Sequence, residues 1–442
     1  MFNKKIFLIC LITAFILRII LWSYVFKQNK LPGHIDSGEY KLLSEHILQN
    51  WNFNQVFGSF RPPLFPLFLA SVRLIFNNYH FALFIQNILS LIAIFFIFKL
   101  GNILSEKIGH LSLFFGAIHL GLIIFANYIL TETLFFAFFY AFTYYFLKFF
   151  VGGSNNKRDL IISAILLGLS ALVRPIAIYL SYFGFLIVFV FTKQSITKRL
   201  INSVVFFAIY FFVISPWLLR NKIVYNHFRF TAQGSAHLIG WVVSEIYRYE
   251  KNIDINTAMK EQIEFWEMKK KSLSDNIKND PFLIEEEVKK YSKSYILSAK
   301  PIFIIKAWTN GIIKNIFSPA TMELPYIFEM KWTGFHDSPG KTFLEQGYNW
   351  LFKNSNKTYS FILLFGFIGV IINRIIQLIG LIYLIKQKHY KFVIINLLIV
   401  FYFLMINGPV GMLKYRLPFE PFLLVCSAVG CIELYKLIFK KK

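Results

Sequence analysis

Charge is scarce in this chain, and acid is scarcer still. Only 16% of the 442 residues are Asp, Glu, Lys or Arg, against about 25% in average soluble domains. A soluble enzyme of this length covers a large core with charge, so this composition excludes that class. Cysteine is nearly absent. Cys10, Cys426 and Cys431 all fall in apolar runs and read as small core residues, which excludes a disulfide frame or a cysteine metal site. No glycine-rich phosphate loop occurs. Intrinsic disorder is excluded by an excess, 53 Phe and 23 Tyr.

What is present is apolar sequence in long runs, 56% of the chain. Runs of about 18 or more apolar residues mark spanning helices. Ten are read here: 6–26, 80–98, 109–127, 131–149, 159–174, 175–192, 201–219, 359–385, 391–408 and 417–437. The first is too long for a signal peptide, lacks a small-residue cleavage site and is interrupted by Arg18, so it is read as a span. The block 159–192 breaks at Arg174-Pro175, because proline disfavours helix in the residue before it and arginine prefers the interface. The class is an all-α polytopic membrane protein.

The formal charge of +24 does not point to nucleic acid. Lys and Arg occur as short clusters between apolar runs, such as Lys4-Lys5, Lys157-Arg158, Lys198-Arg199 and Lys440-Lys441-Lys442. That is the pattern of cytoplasmic loops. With Lys4-Lys5 inside, both termini are cytoplasmic and the short outer turns hold only Arg174, Lys414 and Arg416. Three parts follow: an N-terminal membrane module 1–219 containing a first outer loop 27–79, a large outer loop 220–357, and a C-terminal membrane module 358–442. Cytoplasmic loops of about ten residues cannot fold a nucleotide-binding domain, so chemistry is expected on the outer face with a lipid-carried substrate.

The first loop carries Pro32-Gly33, a turn signal, then Asp36 or Ser37 as a helix cap. Leu42, Leu43, Ile47 and Leu48 suit a helix lying on the bilayer surface. In the long loop, residues 245–295 read as solvated helices, one starting with Pro281 at its first position. Residues 296–318 are amphipathic, and 320–357 has no clear period.

Eight acids lie outside the long loop, and Asp36, Glu39 and Glu132 among them sit at an outer boundary. Acids there are costly and often functional, although Asp36 also suits a helix cap and Glu132 the start of a span. The cations on the same face are Arg61, Arg174, Arg220, Lys414 and Arg416, each next to a proline or a span end. Snorkelling accounts for any one of them. Several converging would make a phosphate site, for which the arginine fork is suited. His34, His237 and His336 leave a divalent metal open, without a supporting spacing.

Asp36-Ser-Gly-Glu-Tyr40 followed by Arg61-Pro-Pro-Leu-Phe-Pro66 resembles the first outer loop of GT-C membrane glycosyltransferases, and of glycosyltransferase family 39 in particular. That group holds the protein O-mannosyltransferases and lipid A aminoarabinose transferases. Thr131-Glu132-Thr-Leu-Phe, Val173-Arg174-Pro175, Pro216-Trp-Leu-Leu-Arg220-Asn221 and Lys414-Tyr-Arg416-Leu-Pro follow in the same order. The resemblance implies a GT-C fold, a bacterial inner-membrane location, a polyprenyl-phosphate sugar donor and a hexosyl or pentosyl transfer. The acceptor would be a lipid, glycan or protein. It implies Asp36 as catalytic base and Glu132 as a second acid. Arg61 and Arg416 would stand near the lipid phosphate, with Glu39, Tyr40, Arg174, Arg220, His237 and Lys414 as further binding residues. One position departs: aminoarabinose transferases carry a Glu linked to metal binding where this chain has Phe60. A transporter or flippase, or an O-antigen ligase or polymerase, shares the topology and stays as the alternative.

Overall fold

The computed structural model describes residues 4–33, 35–151, 156–335, 337–339, 343–353 and 356–439. Among these every regular element is a helix. The first half runs α1 (Lys4–Lys27), α2 (Ile35–Asn50), α3 (Leu64–Phe76), α4 (His80–Asn102), α5 (Glu106–Ile118), α6 (Leu120–Phe125), α7 (Glu132–Val151), α8 (Lys157–Val173), α9 (Leu180–Phe191) and α10 (Ile196–Tyr225). The long segment holds α11 (Gly234–His237), α12 (Ser244–Lys251), α13 (Ile255–Lys271), α14 (Asp275–Lys278), α15 (Pro281–Ser298), α16 (Pro301–Phe317), α17 (Leu324–Phe328) and α18 (Phe343–Phe352). The chain closes with α19 (Lys357–Lys386), α20 (Tyr390–Asn407), α21 (Leu413–Arg416) and α22 (Glu420–Phe439).

Among the described residues seven helices are long and apolar enough to cross a membrane, which makes this a multi-pass membrane protein: α1, α4, α7, α10, α19, α20 and the stretch Leu413–Phe439. The other three expected spans differ in form. The run 109–127 is broken at His119, whose ψ of 104° ends α5 and whose Nδ1 accepts from the Leu122 amide to start α6. The block 159–192 breaks where expected. Arg174 is extended, and Pro175–Ala177 forms a single 3-10 turn before α9.

Buried Phe, Leu and Ala of α4, α7, α8 and α22 form the main core. Phe135 and Phe139 stack at 5.0 Å, as do Phe136 and Tyr140 at 5.4 Å, one helical turn apart. Helices α19 and α22 meet at Gly380 and Gly430, where a Cβ would lie 2.0 Å from a backbone carbonyl oxygen of the facing helix. Only glycine permits that approach, the usual device of membrane helix pairs. The three cysteines are free thiols.

Two local expectations hold in the outer segments. Pro281 opens α15, with Asp280 accepting from the Phe282 and Leu283 amides. The amphipathic stretch 296–318 becomes α16. One shifts: α2 begins at Ile35, so Asp36 sits in its first turn instead of capping it. Leu43 and Ile47 are buried against Ala70 of α3, while Leu42 is exposed.

Candidate active site

Asp36, Glu39 and Tyr40 fall at i, i+3 and i+4 of α2 and therefore share a face. The paired prolines Pro62-Pro63 end the connecting loop and start α3, which brings the nearly buried Arg61 onto that face. Its guanidinium joins all three side chains. Nη2 donates to Asp36 Oδ1 at 2.8 Å, and Nε and Nη2 donate to Glu39 Oε2 at 2.9 and 2.6 Å. Nη1 donates to the Tyr40 hydroxyl at 3.2 Å, with the guanidinium carbon 4.9 Å above the Tyr40 ring. The ring is itself held edge-on by Phe65 at 5.0 Å. Burial pushes the Tyr40 hydroxyl above its usual range against the pull of Arg61. Burial alone would weaken the Arg61 charge, but Tyr40, Asp36 and Glu39 together hold it above the ordinary arginine range. Arg61 is thus a fixed cation.

Two further groups complete the cluster. Lys414, on the turn α21, brings Nζ to 3.7 Å from Asp36 Oδ2. Arg174, released from α8 by Pro175, pairs with Glu132 at the start of α7 and lies 5.8 Å over the Phe135 ring. The charges of Arg174 and Glu132 reach Tyr40, and those of Glu132 and Asp36 reach Lys414. Five sequence-separated stretches therefore meet at one end of the bundle. Charge-assisted contacts of this kind are short and directional.

Three expected residues stand apart from the cluster. Arg220 donates to the carbonyls of Gly58 and Phe53 at 3.2 and 2.8 Å and to Asn54 Oδ1 at 3.0 Å, tying the end of α10 to the first loop. Arg416 donates to the Asn315, Ile316 and Ser318 carbonyls at 3.3, 3.0 and 2.9 Å. It caps the unpaired C-terminal carbonyls of α16. Its Nε pairs with Glu420 Oε2 at 2.8 Å, and Glu420 faces His119 Nε2 at 3.3 Å. His237 ends α11, and burial lowers its imidazole to about 4, which keeps it neutral.

The chain also places a residue there that the sequence did not single out. Glu323 is 4% exposed on the turn Ala320–Glu323, where its carboxyl feels Lys414 and Glu132. Its neighbours in sequence carry no period, so only its isolation among apolar residues marked it.

A divalent metal does not suit these residues. Asp36 and Glu39 both bind the one guanidinium, which takes the place between them that a bridging cation needs. Among the described residues no three His, Cys, Asp or Glu side chains gather as a ligand set. His34 and His336 lie outside the described residues.

The family described as dolichyl-phosphate-mannose-protein mannosyltransferase matches residues 60–219. No curated protein matches by sequence. Among solved structures, the oligosaccharyltransferase AglB from Archaeoglobus fulgidus, in complex with an inhibitory peptide and a dolichol-phosphate, is 13% identical with a TM-score of 0.51, over 99% of this chain and 51% of that one. An oligosaccharyltransferase complex from the same organism with Zn and sulfate is 14% identical with a TM-score of 0.48, over 97% of this chain and 49% of that one. ArnT from Cupriavidus metallidurans bound to undecaprenyl phosphate is 11% identical with a TM-score of 0.43, over 97% and 79%. The chain spans about half the length of the archaeal oligosaccharyltransferases it matches. Its architecture is the GT-C fold of membrane glycosyltransferases.

Proposed function

We propose that this protein moves a sugar from a polyprenyl-phosphate donor to an acceptor hydroxyl at the outer face of a bacterial inner membrane, with inversion. One observation carries the reading: Asp36 is held between Arg61 at 2.8 Å and Lys414 at 3.7 Å, so one carboxylate and its cations share a site. The family match over 60–219 supports a polyprenyl-phosphate donor of this kind. The fold shared with an archaeal oligosaccharyltransferase agrees with it.

The chemistry needs little more. The acceptor O–H bond breaks and its proton passes to Asp36, while the oxygen attacks the anomeric carbon. The bond from that carbon to the donor phosphate oxygen breaks, and the phosphate leaves carrying the electron pair. A phosphate is stabilised by cations set in place beforehand, and it needs no acid. Arg61 orients Asp36, Glu39 and Tyr40 hold Arg61, and Glu132 holds Arg174. Lys414 and Arg174 meet the phosphate. Attack from the face opposite the phosphate inverts the sugar. Arg220 and Arg416 support the loop and the α16 end that frame the site.

The test uses purified protein in lipid nanodiscs with a panel of polyprenyl-phosphate sugars and crude membrane acceptors. Release of free polyprenyl phosphate, dependent on Asp36, supports the reading. Silence with every donor and acceptor rejects it.

A further inference from the structure

One helix of the long segment carries the turn on which Lys414 sits. That turn, α21, is four residues long, Leu413–Arg416. A single helical turn does not hold itself, because nucleation fixes several dihedrals for one hydrogen bond. The chain reaches it from α20 through Gly408-Pro-Val-Gly-Met412, and α16 lies against this connection along its length.

The contacts come in register. Trp308, Gly311 and Asn315 recur along one face of α16. The Trp308 indole donates to the Met405 carbonyl at 3.3 Å. A Cβ on Gly311 would lie 2.3 Å from the Gly408 carbonyl oxygen, and one on Gly411 would lie 2.1 Å from Lys314 Cβ, so the main chain runs directly against the helix. Asn315 is fully buried and engages the connection with both ends of its amide. Its Nδ2 donates to the Val410 carbonyl at 3.0 Å, and its Oδ1 accepts from the Met412 amide at 3.1 Å. Its own carbonyl accepts from Arg416 Nη1 at 3.3 Å. One residue of the long segment therefore fixes the chain on both sides of Lys414. A buried amide with both ends paired is rigid, and leaving its partners unpaired is costly.

Lys414 depends on that placement more than the other cations of the cluster. Arg61 is held by Asp36, Glu39 and Tyr40, and Arg174 by Glu132. The Lys414 ammonium stands 3.7 Å from Asp36, beyond hydrogen-bond length, and 5.4 Å over the ring of Tyr415, which belongs to the same turn. Lys414 is itself buried, so its stem has little room to make up for a displaced backbone.

We infer that Asn315 is a positioning residue for the donor site: by clamping Val410, Met412 and Arg416 to α16, it sets where the Lys414 ammonium meets the phosphate. The inference rests on the donor-binding reading above. It makes the long outer segment part of the donor site, through α16.

The test measures binding of undecaprenyl phosphate, a polyprenyl phosphate without a sugar, to the full chain in nanodiscs at fixed pH and salt. Wild type, Lys414→Gln, Asn315→Leu and the double variant form a cycle. Lys414→Gln should weaken binding by about tenfold to a hundredfold, the worth of a hydrogen bond to a charged group. Asn315→Leu keeps the volume, removes both side-chain bonds and should weaken binding by about tenfold. In the Lys414→Gln protein the same substitution should change it by less than about twofold, because its effect passes through the ammonium. Asn315→Ala is carried through the same cycle with the same expectation, so a folding defect in the leucine variant leaves the other to decide. Wild-type affinity in both Asn315 variants overturns the inference. Equal loss with and without Lys414 marks a structural role and overturns it too, as does failure of both variants to fold. Absence of binding by wild type, or wild-type affinity in Lys414→Gln, removes the donor-binding reading itself, and the inference falls with it.

Discussion

Replacing Asp36 with Asn alters one oxygen and almost no volume, which makes it a sharp probe of the proposed base. In the wild-type protein Oδ1 accepts from Arg61 at 2.8 Å and Oδ2 faces Lys414 at 3.7 Å. Arg61 would keep two bonds to Glu39, at 2.9 and 2.6 Å, and one to Tyr40 at 3.2 Å, so the guanidinium stays where it is. The Asp36 side chain is 31% exposed. A hydrogen bond to a charged group contributes roughly 1.5–3 kcal/mol, and solvent screening at this exposure reduces that to about 1 kcal/mol. The fold should survive. The chemistry should not, because an amide cannot accept the acceptor proton. A positioned base contributes about 10²–10⁴-fold, equivalent to about 3–5 kcal/mol of barrier. The two effects differ several-fold, so activity should collapse while the unfolding midpoint moves little. Polyprenyl phosphate release and thermal unfolding are followed together for wild type, Asp36→Asn and Asp36→Glu in identical nanodiscs. A folded Asp36→Asn protein turning over within about threefold of wild type would falsify the assignment of the base.

Other consequences follow from the packing and the charges. Gly430→Val drives a side chain into the Ile376 carbonyl, which already lies 2.0 Å from a Cβ position. It should cost about 1–3 kcal/mol or more and lower the melting temperature; an unchanged midpoint contradicts the close α19–α22 approach. Glu420→Leu strands Arg416 and His119 and should cost about 3–5 kcal/mol, whereas Arg416→Met with Glu420→Leu recovers part of it. Simple additivity in that double-mutant cycle speaks against a coupled pair. For Glu323 the folded carboxyl titrates near 7 against 4.5 when free, so the folded state holds a proton that the unfolded state has released. Its contribution to stability is therefore full below 4.5, falls as pH rises through the window to 7, and is lost above it. The melting temperature of Glu323→Gln relative to wild type should climb across that window, and parallel curves count against a buried, titrating carboxyl.

The chain's local signals translate directly into local structure. Apolar runs become helices at nearly the expected bounds, since a bilayer satisfies no backbone polar group and only a helix can cross it alone. Asp36, Glu39 and Tyr40 land on one face because the spacing of a helix puts them there. Arg174-Pro175 breaks its run because proline forbids a helical predecessor. The grouping of the candidate residues on the first loop has the same origin: their spacing and their paired prolines are short-range features.

Long-range partners were not legible. The Tyr128 hydroxyl holds the Glu323 carbonyl at 3.1 Å across stretches of chain with no shared pattern. Arg416 looks like a phosphate ligand beside Lys414, yet it is committed to the carbonyl end of α16 about a hundred residues earlier. His119 sits in an apolar run that reads as one span, and its side chain instead caps the second half of a broken one. Sequence alone thus determined the class, most of the spans and the face carrying Asp36. The tertiary structure decided which cations meet that face and which are spent holding helices together. The physical reason is range: helix and turn formation depends on neighbours a few residues away, whereas pairing of buried charges depends on where distant helix ends arrive.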